Sequence, residues 1–208
     1  MKDLILIRHA ECTQDVHNVT GGWTNTRLTE LGQRQAQATA QRVKELVAGR
    51  RTELFSSDLE RARETGEAIG DALSLTPTFK RELRELDNGK AAGLTWESAK
   101  AFELPRTEPI LDWVPYVDAE SWRMMARRIY AFMEKTHFAE EIVLLVTHGE
   151  SGKAVIHWWL GLPEEYWCRI SYVLDYCSIT CLNVSPHGER AIFKLNDTSH
   201  LGVEPVRS

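Results

Sequence analysis

The sequence lacks the long hydrophobic run that a membrane-spanning helix needs. The first aliphatic stretch, Leu4 to Ile7, ends after four residues at Arg8, which also makes it too short for the core of a signal peptide. The apolar stretch 154–162 is short and contains His157. No membrane partner is therefore expected.

Patterned cysteines are missing as well. The four cysteines show neither CxxC spacing nor the density of a disulfide-stabilised secreted domain; they are Cys12, Cys168, Cys177 and Cys181. Four free thiols in a reducing compartment are the simplest interpretation. The sequence thus predicts a cytoplasmic protein.

The chain also lacks a run of basic residues, and its net charge is -5 with a pI of about 5.8. Because nucleic-acid binding uses a basic surface, no nucleic-acid partner is expected. With 208 residues, 43% of them hydrophobic, the chain is long enough for one well-buried core and too short for two independent enzymatic domains. Residues 1–208 are predicted to form a single domain, and nothing in the sequence indicates the oligomeric state.

What is present is an alternation of apolar runs with helical patterns, which is typical of a largely parallel sheet covered on both faces. We expect the α/β class, as a three-layer α/β/α sandwich with a mostly parallel central sheet. The predicted strands are 4–7, a short one at Phe55, 142–147, 178–184 and 191–195, with an antiparallel member among the last two. The predicted helices are 29–47, 61–73, about 122–132 and 151–160.

Local signals refine this prediction. Asp58 is expected to cap the second helix, and the first helix is expected to bury Leu31, Val43, Leu46 and Val47. Residues 87–118 contain glycines and prolines without a core period, so they are predicted to form a lid-like insertion with one short helix near 96–102. The residues after about position 198 are expected to be a tail.

Four segments carry side chains suited to phosphate chemistry. Two aliphatic strands end in histidine, at Arg8-His9 and at Thr147-His148-Gly149, which lie where open α/β sheets bind ligands. Between them come Ser56-Ser57-Asp58-Leu59-Glu60-Arg61-Ala62-Arg63-Glu64-Thr65 and Leu83-Arg84-Glu85-Leu86-Asp87-Asn88-Gly89. Each segment alone is a weak signal, and their joint occurrence in this order is far more specific.

These segments, in this order, resemble the histidine phosphatase superfamily, the phosphoglycerate mutase-like proteins, over residues 4 to about 184. The resemblance implies a phosphoglycerate mutase-like fold. It also implies an enzyme of the histidine acid phosphatase type that hydrolyses phosphate monoesters through a covalent phosphohistidine. A small phosphorylated substrate is expected, and no cofactor or metal is needed.

The resemblance assigns roles to five residues. His9 is the candidate nucleophile, since a neutral imidazole nitrogen can attack phosphorus. Arg8 and Arg61 can present planar forks of donors to the phosphoryl oxygens, and His148 can donate a further hydrogen bond. Glu85 is the candidate proton donor to the leaving oxygen, by its place in the family's motif. Glu82 is the fallback for that last role.

The loop 11–27 is less clear. Ala10 stands where the best-known motif has glycine, and Asp15 stands where the family often has an asparagine that contacts phosphate. Because Asp15 would repel a dianion unless it is protonated or paired, Asn18 is an alternative contact. The backbone of Gly22, and of Gly149 after the second histidine, is also predicted to face the substrate.

Three alternatives stay open. The first is a 2,3-bisphosphoglycerate-dependent phosphoglycerate mutase, although Leu86 follows Glu85 where mutases have a basic residue, and Trp96 stands about where they offer a lysine. The second is a non-catalytic module that binds a phosphorylated ligand, suggested by Asp15. The third is a metal-dependent hydrolase, which is disfavoured because no His, Asp or Glu cluster has ligand spacing. The sequence does not name the substrate, whose selection is expected in 11–27 and 87–118.

Overall fold

The central element of the protein is one six-stranded sheet. The computed structural model describes residues 3–202. The strands are β1 (Asp3–Arg8), β2 (Thr52–Ser57), β3 (Thr78–Lys80), β4 (Ile142–Thr147), β5 (Ile179–Val184) and β6 (Arg190–Asp197). Their order is β3-β2-β4-β1-β5-β6. The pairs among β1 to β4 are parallel, whereas β5 is antiparallel to both β1 and β6, so the predicted mostly parallel sheet with an antiparallel member is confirmed.

The described residues form six α-helices. They are α1 (Thr13–Val16), α2 (Glu30–Val47), α3 (Glu60–Leu73), α4 (Trp96–Ala99), α5 (Trp122–Lys135) and α6 (Gly149–Leu160). Short 3-10 helices occupy Arg81–Leu83, Gly89–Ala91, Lys100–Phe102, Ile110–Asp112, Glu164–Tyr166 and Ser199–Leu201. None of the helices in the described part of the chain is both long enough and apolar enough to cross a bilayer.

The alternation of side chains along β1 explains why helices cover both faces. Leu4 and Leu6 point into a core formed with α5 and α6, while Ile5 and Ile7 point into a second core formed with α2 and α3. All four are at most 4% exposed. The chain therefore forms the predicted three-layer α/β/α sandwich.

Strand register brings two candidate residues together. β1 pairs in parallel with β4, and Arg8 lies opposite Thr147. The next residue of each strand, His9 and His148, therefore leaves the sheet at the same edge. A hydrogen bond from His9 N to the carbonyl oxygen of Thr147 (2.9 Å) holds the two strand ends at this point. On the other side of β4, β2 ends at Ser57, one position beyond the paired Ser56.

The insertion 87–118 is ordered by backbone hydrogen bonds rather than by a long helix. Its predicted short helix near 96–102 is confirmed as α4 followed by a 3-10 turn. The amide of Thr20 donates to Leu94 O at 2.8 Å, and the amide of Gly93 donates to Thr20 O at 3.0 Å. The insertion is thus attached to the loop 11–27.

Two helix predictions are wrong. α3 begins after Leu59 without a side-chain cap, because Asp58 instead forms two hydrogen bonds of 2.7 Å with Arg84. In α2, Leu31 is 41% exposed, because its neighbour Gly32 faces the loop at Glu11, where an added Cβ would lie 2.0 Å from the carbonyl oxygen.

The predicted tail is also partly wrong. Residues 199–201 form a 3-10 turn that packs on α2. The Nε2 atom of His200 lies 2.9 Å from Thr39 Oγ1, so this part of the chain is tied to the body of the fold. The last residues of the predicted tail, 203–208, lie outside the described residues.

Candidate active site

The two strand-end histidines form the centre of the site. The ring centroids of His9 and His148 are 5.0 Å apart, with the rings in an edge arrangement. His9 is 2% exposed and His148 is fully buried. The two imidazoles were expected to lie together although their strands are more than a hundred residues apart in the sequence. The structure places them side by side.

His9 is held as a neutral imidazole with a defined tautomer. Its Nδ1 lies 2.7 Å from the carbonyl oxygen of Ala10, which can only accept, so Nδ1 carries the proton. Nε2 is then an acceptor, and it receives a hydrogen bond from Arg61 Nε at 3.2 Å. Burial, followed by the charges of Arg61 and Arg8, lowers the pKa of His9 well below 6.5. The nitrogen Nε2 therefore keeps the lone pair that a nucleophile needs.

Arg61 is a buried cation in the first turn of α3. It is 1% exposed, and beyond His9 its guanidinium donates to Thr24 O at 2.8 Å and to Gly22 O at 2.9 Å. Burial lowers the pKa of Arg61. Gly22 adopts a φ of +82°, and a Cβ there would lie 2.7 Å from the backbone nitrogen of Asn88, so only glycine fits. Gly22 thus presents its carbonyl oxygen to Arg61, and its predicted contact with the substrate stays a prediction.

His148 is fixed from one side and unpartnered on the other. Its Nε2 hydrogen-bonds to Ser57 Oγ at 2.8 Å, from the end of β2. Its Nδ1 is buried and has no hydrogen-bond partner in the described part of the chain. Burial, then Arg61 and His9, lowers the pKa of His148 well below 6.5. A buried polar atom of this kind suits an incoming ligand oxygen.

Arg8 is oriented by a residue that the sequence did not indicate. Its Cζ lies 3.9 Å from the ring centroid of Tyr176, a cation-π geometry, and its Nη1 donates to the carbonyl of Leu174. The ring of Tyr176 is also 5.5 Å from that of His9. Arg8 Nε is buried and has no partner among residues 3–202, so one donor of the guanidinium is available.

Tyr176 also contacts Asp15, the residue that stands where the family often has an asparagine. The Tyr176 hydroxyl donates to Asp15 Oδ1 at 2.6 Å, and the amide of Cys12 donates to Oδ2 at 3.1 Å. Asp15 is thus hydrogen-bonded on both oxygens. Burial and Asp15 raise the pKa of Cys12 to about 12, so the thiol is neutral. Asn18, the alternative contact, is exposed at the end of α1 with a φ of +51°, and its side chain makes no hydrogen bond within residues 3–202.

The carboxylate of Glu85 sits at the amino end of α6. It accepts from the amides of Glu150 (3.2 Å) and Ser151 (3.1 Å), and from that of Leu86 (3.0 Å). A carboxylate at this position is favoured by the unpaired amides and the helix dipole. Glu82, the fallback, is exposed in the turn Arg81–Leu83.

Gly149 completes this side of the site. A Cβ there would lie 3.6 Å from Glu85 Oε2 and 3.9 Å from Arg8 Cζ, so the glycine leaves a narrow gap between the carboxylate and the guanidinium.

Two neutral imidazoles, two guanidiniums and one carboxylate thus surround a small region. Such a set can neutralise a phosphate monoester, present a nucleophile to it and supply a proton. In the described part of the chain, no three His, Cys, Asp or Glu residues form a group that could hold a metal ion.

Two comparisons with known proteins match nearly the whole chain. The family model of the histidine phosphatase superfamily (branch 1) matches residues 4–198. A probable phosphoglycerate mutase GpmB of Yersinia pestis (strain Pestoides F) is 29% identical over 210 residues, covering 97% of this chain and 95% of that protein.

Two solved structures are similar along nearly their whole length. A mycobacterial glucosyl-3-phosphoglycerate phosphatase in complex with VO3 gives a TM-score of 0.77 at 26% identity, covering 95% of this chain and 100% of that chain. Bacillus stearothermophilus YhfR gives a TM-score of 0.75 at 25% identity, covering 97% and 100%. These similarities extend over the strands that carry the two histidines.

Proposed function

The chain belongs to the histidine phosphatase superfamily, and from that membership we propose that it hydrolyses small phosphate monoesters through a phosphohistidine formed on His9. The observation that carries the proposal is the unprotonated Nε2 of His9. It lies beside His148 and the guanidinium of Arg61, inside a buried site. We propose that the chain acts as a single domain in the cytoplasm.

The first step is an in-line attack of His9 Nε2 on phosphorus. The substrate displaces the hydrogen bond that Arg61 Nε makes to Nε2, and the guanidinium then donates to the phosphoryl oxygens. Arg8 Nε and His148 Nδ1, both buried and unpartnered in the described residues, donate to the same oxygens. A nitrogen-phosphorus bond forms as the ester oxygen-phosphorus bond breaks.

Glu85 completes both half-reactions. The repulsion between its carboxylate and the bound phosphate dianion favours the protonated acid, which gives its proton to the departing alkoxide, and the alkoxide leaves as the alcohol. The resulting carboxylate then takes a proton from water, whose oxygen attacks the phosphohistidine. Inorganic phosphate leaves and neutral His9 is restored. Because Gly149 has no side chain, the Glu85 carboxylate can approach the phosphoryl group bound by Arg8.

Water is favoured as the acceptor of the phosphoryl group because the basic side chains of the insertion 87–118 are paired with carboxylates. Each of its three basic residues lies beside a carboxylate: Lys90 at 3.5 Å from Asp118, Lys100 at 2.7 Å from Glu97, and Arg106 at 3.9 Å from Glu108. A mutase has to hold a phosphoglycerate by its carboxylate and second phosphate between the two transfers. The similarity to a solved glucosyl-3-phosphoglycerate phosphatase supports the same choice.

The second candidate is a phosphoglycerate mutase. It is favoured by the 29% identity to the Yersinia protein with that name. Incubation with 3-phosphoglycerate and a trace of 2,3-bisphosphoglycerate separates the two, since a mutase yields 2-phosphoglycerate whereas the proposed phosphatase yields inorganic phosphate.

The proposal is tested by a panel of phosphorylated metabolites with the wild type and His9→Ala. We expect the wild type to release phosphate from some of them and to carry a transient phosphoryl group on His9, with both lost in the variant. Release that persists in His9→Ala would remove His9 as the nucleophile. Labelling of His9 without sustained release would instead indicate the non-catalytic phospho-ligand module.

A further inference from the structure

A second arginine, outside the phosphate site, contacts the segment that carries Glu85. Arg128 lies on α5 and forms a bidentate salt bridge with Glu120, in which Nε donates to Oε1 at 3.0 Å and Nη2 donates to Oε2 at 2.6 Å. Their side chains are only 16% and 13% exposed. The pair is therefore largely shielded from water, and its two parallel hydrogen bonds fix the orientation of the guanidinium.

The remaining donors of Arg128 reach three carbonyls in succession. Nη1 donates to Glu82 O at 2.7 Å and to Arg84 O at 3.0 Å, and Nη2 donates to Glu85 O at 3.1 Å. Residues 84–88 have no helix or strand of their own, so their backbone groups need partners from elsewhere. Arg128 supplies those partners at the residue that carries the candidate proton donor.

Trp23 adds a further donor to the same carbonyl. Its indole Nε1 lies 2.7 Å from Glu85 O, and its ring centroid is 5.6 Å from Arg128 Cζ. Glu120 holds the main chain two residues further on, since its Oε2 accepts from the amide of Asp87 at 3.2 Å. We call Arg128, Glu120 and Trp23 the Glu85 brace. It fixes the main chain of Glu85, whose carboxylate is held by the amides of α6.

We propose that Arg128 is a positioning residue that aligns Glu85 for proton transfer, with Glu120 orienting Arg128. The proposal rests on the proposed function, in which Glu85 is the general acid and base. Arg128 contacts the backbone of residues 82–85, so its effect reaches the reaction through the placement of the Glu85 carboxyl group.

The consequence is a dependence on the leaving group. Phenolate needs a proton as it leaves, whereas dinitrophenolate is stable as an anion and leaves without one. The ratio kcat/KM reports events up to release of this group, so it isolates the step in which Glu85 acts as an acid. A misplacement of about 1 Å costs on the order of 100-fold in such a step.

The experiment compares kcat/KM for phenyl phosphate and dinitrophenyl phosphate in the wild type, Glu85→Gln, Arg128→Met and Arg127→Met. For Arg128→Met we expect a loss of roughly 10- to 100-fold with phenyl phosphate and of less than about threefold with dinitrophenyl phosphate. Glu85→Gln should show the same discrimination, larger. Arg127, on the same helix but 69% exposed and 3.9 Å from Glu164, is the matched control and should leave both values unchanged.

Folding is controlled separately. Arg128→Met leaves the partly buried Glu120 carboxylate without its ion pair, which destabilises the fold. The double variant Arg128→Met with Glu120→Gln removes that charge, and it should fold and keep the leaving-group discrimination.

Equal losses for the two substrates, or no loss in a folded Arg128 variant, would show that Arg128 is only structural. If Glu85→Gln discriminates and the Arg128 variants do not, the brace proposal fails alone. If the wild type hydrolyses neither ester nor any metabolite, the proposed function itself fails. If Glu85→Gln does not discriminate, Glu85 is not the acid, and the brace proposal falls with it.

Discussion

Acidification should weaken the native fold through the two buried histidines of the site. Burial and the nearby guanidiniums of Arg8 and Arg61 keep the pKa of both His9 and His148 well below 6.5. In the unfolded chain the pKa of a histidine returns to about 6.5. Between these values the unfolded chain binds more protons than the native protein, so stability is full above about pH 6.5 and falls as the pH decreases below it.

The size of the effect follows from proton counting. From about pH 7.5 to about pH 5.5, each unfolded histidine goes from mostly neutral to mostly protonated, while the native ones stay neutral. Each then costs about 1.4 kcal/mol of the free energy of unfolding over this range, and His9 with His148 together cost roughly 3 kcal/mol. This is a large part of the stability of an ordinary domain.

The assay is urea unfolding at both pH values, without phosphate or other oxyanions that would bind the site. His148→Gln should lose about 1.4 kcal/mol less than the wild type between the two pH values. Burial also lowers the pKa of His157 and His200, but both remain in the variant and cancel in the comparison. The exposed His187 supplies the control, and His187→Gln should lose as much as the wild type.

An equal loss in the wild type and in His148→Gln would refute the reasoning, since it would mean that His148 takes up its proton in the native protein. The neutral imidazoles that the proposed function requires would then not persist in mildly acidic solution. A smaller loss in His187→Gln would equally contradict it, because the effect would not depend on burial.

Three further predictions concern the loop and the ligand. Asp15→Asn removes a charge near the proposed phosphate site while keeping an acceptor for Tyr176, so KM for phosphate esters should fall by about two- to fivefold in steady-state kinetics. Gly22→Ala places a Cβ 2.7 Å from Asn88 N at a φ of +82°, and urea unfolding should show a loss of about 1–3 kcal/mol. Inorganic phosphate at about 100 times its Kd should stabilise the wild type by about 2.7 kcal/mol in thermal unfolding, and Arg8→Met should lose most of this gain.

The sheet and the two histidines were predictable because their signals are local. The aliphatic runs of β1 and β4 specify buried strands, and the residue that follows each strand leaves the sheet at the same edge whatever lies between them. The start of the helix predicted over 29–47 was predictable for the same reason, since the Thr29 side chain accepts from the amide of Gly32 at the first turn of α2. These features depend on a few adjacent residues.

The residues that support the site could not be read in this way. Tyr176 meets Arg8 across 168 positions of sequence and lies in a segment, 167–178, without a regular pattern. Arg128 looks like any surface arginine of an amphipathic helix until the segment of Glu85 is placed against it. The error at Asp58 has the same origin, because a local capping rule lost to an ion pair with Arg84, which comes from another segment.

The antiparallel direction of β5 decides which connection of the sheet lies beside His9 and His148. A strand that runs opposite to β1 begins where β1 ends, and the amide of Cys177, just before it, donates to Arg8 O at 3.1 Å. The connection entering β5 thereby reaches the edge of the sheet that carries His9 and His148, whereas a loop that enters a parallel strand does so at the opposite edge. Substitutions around Tyr176 would therefore change the surroundings of Arg8 and His9 while the strands and helices stay unchanged.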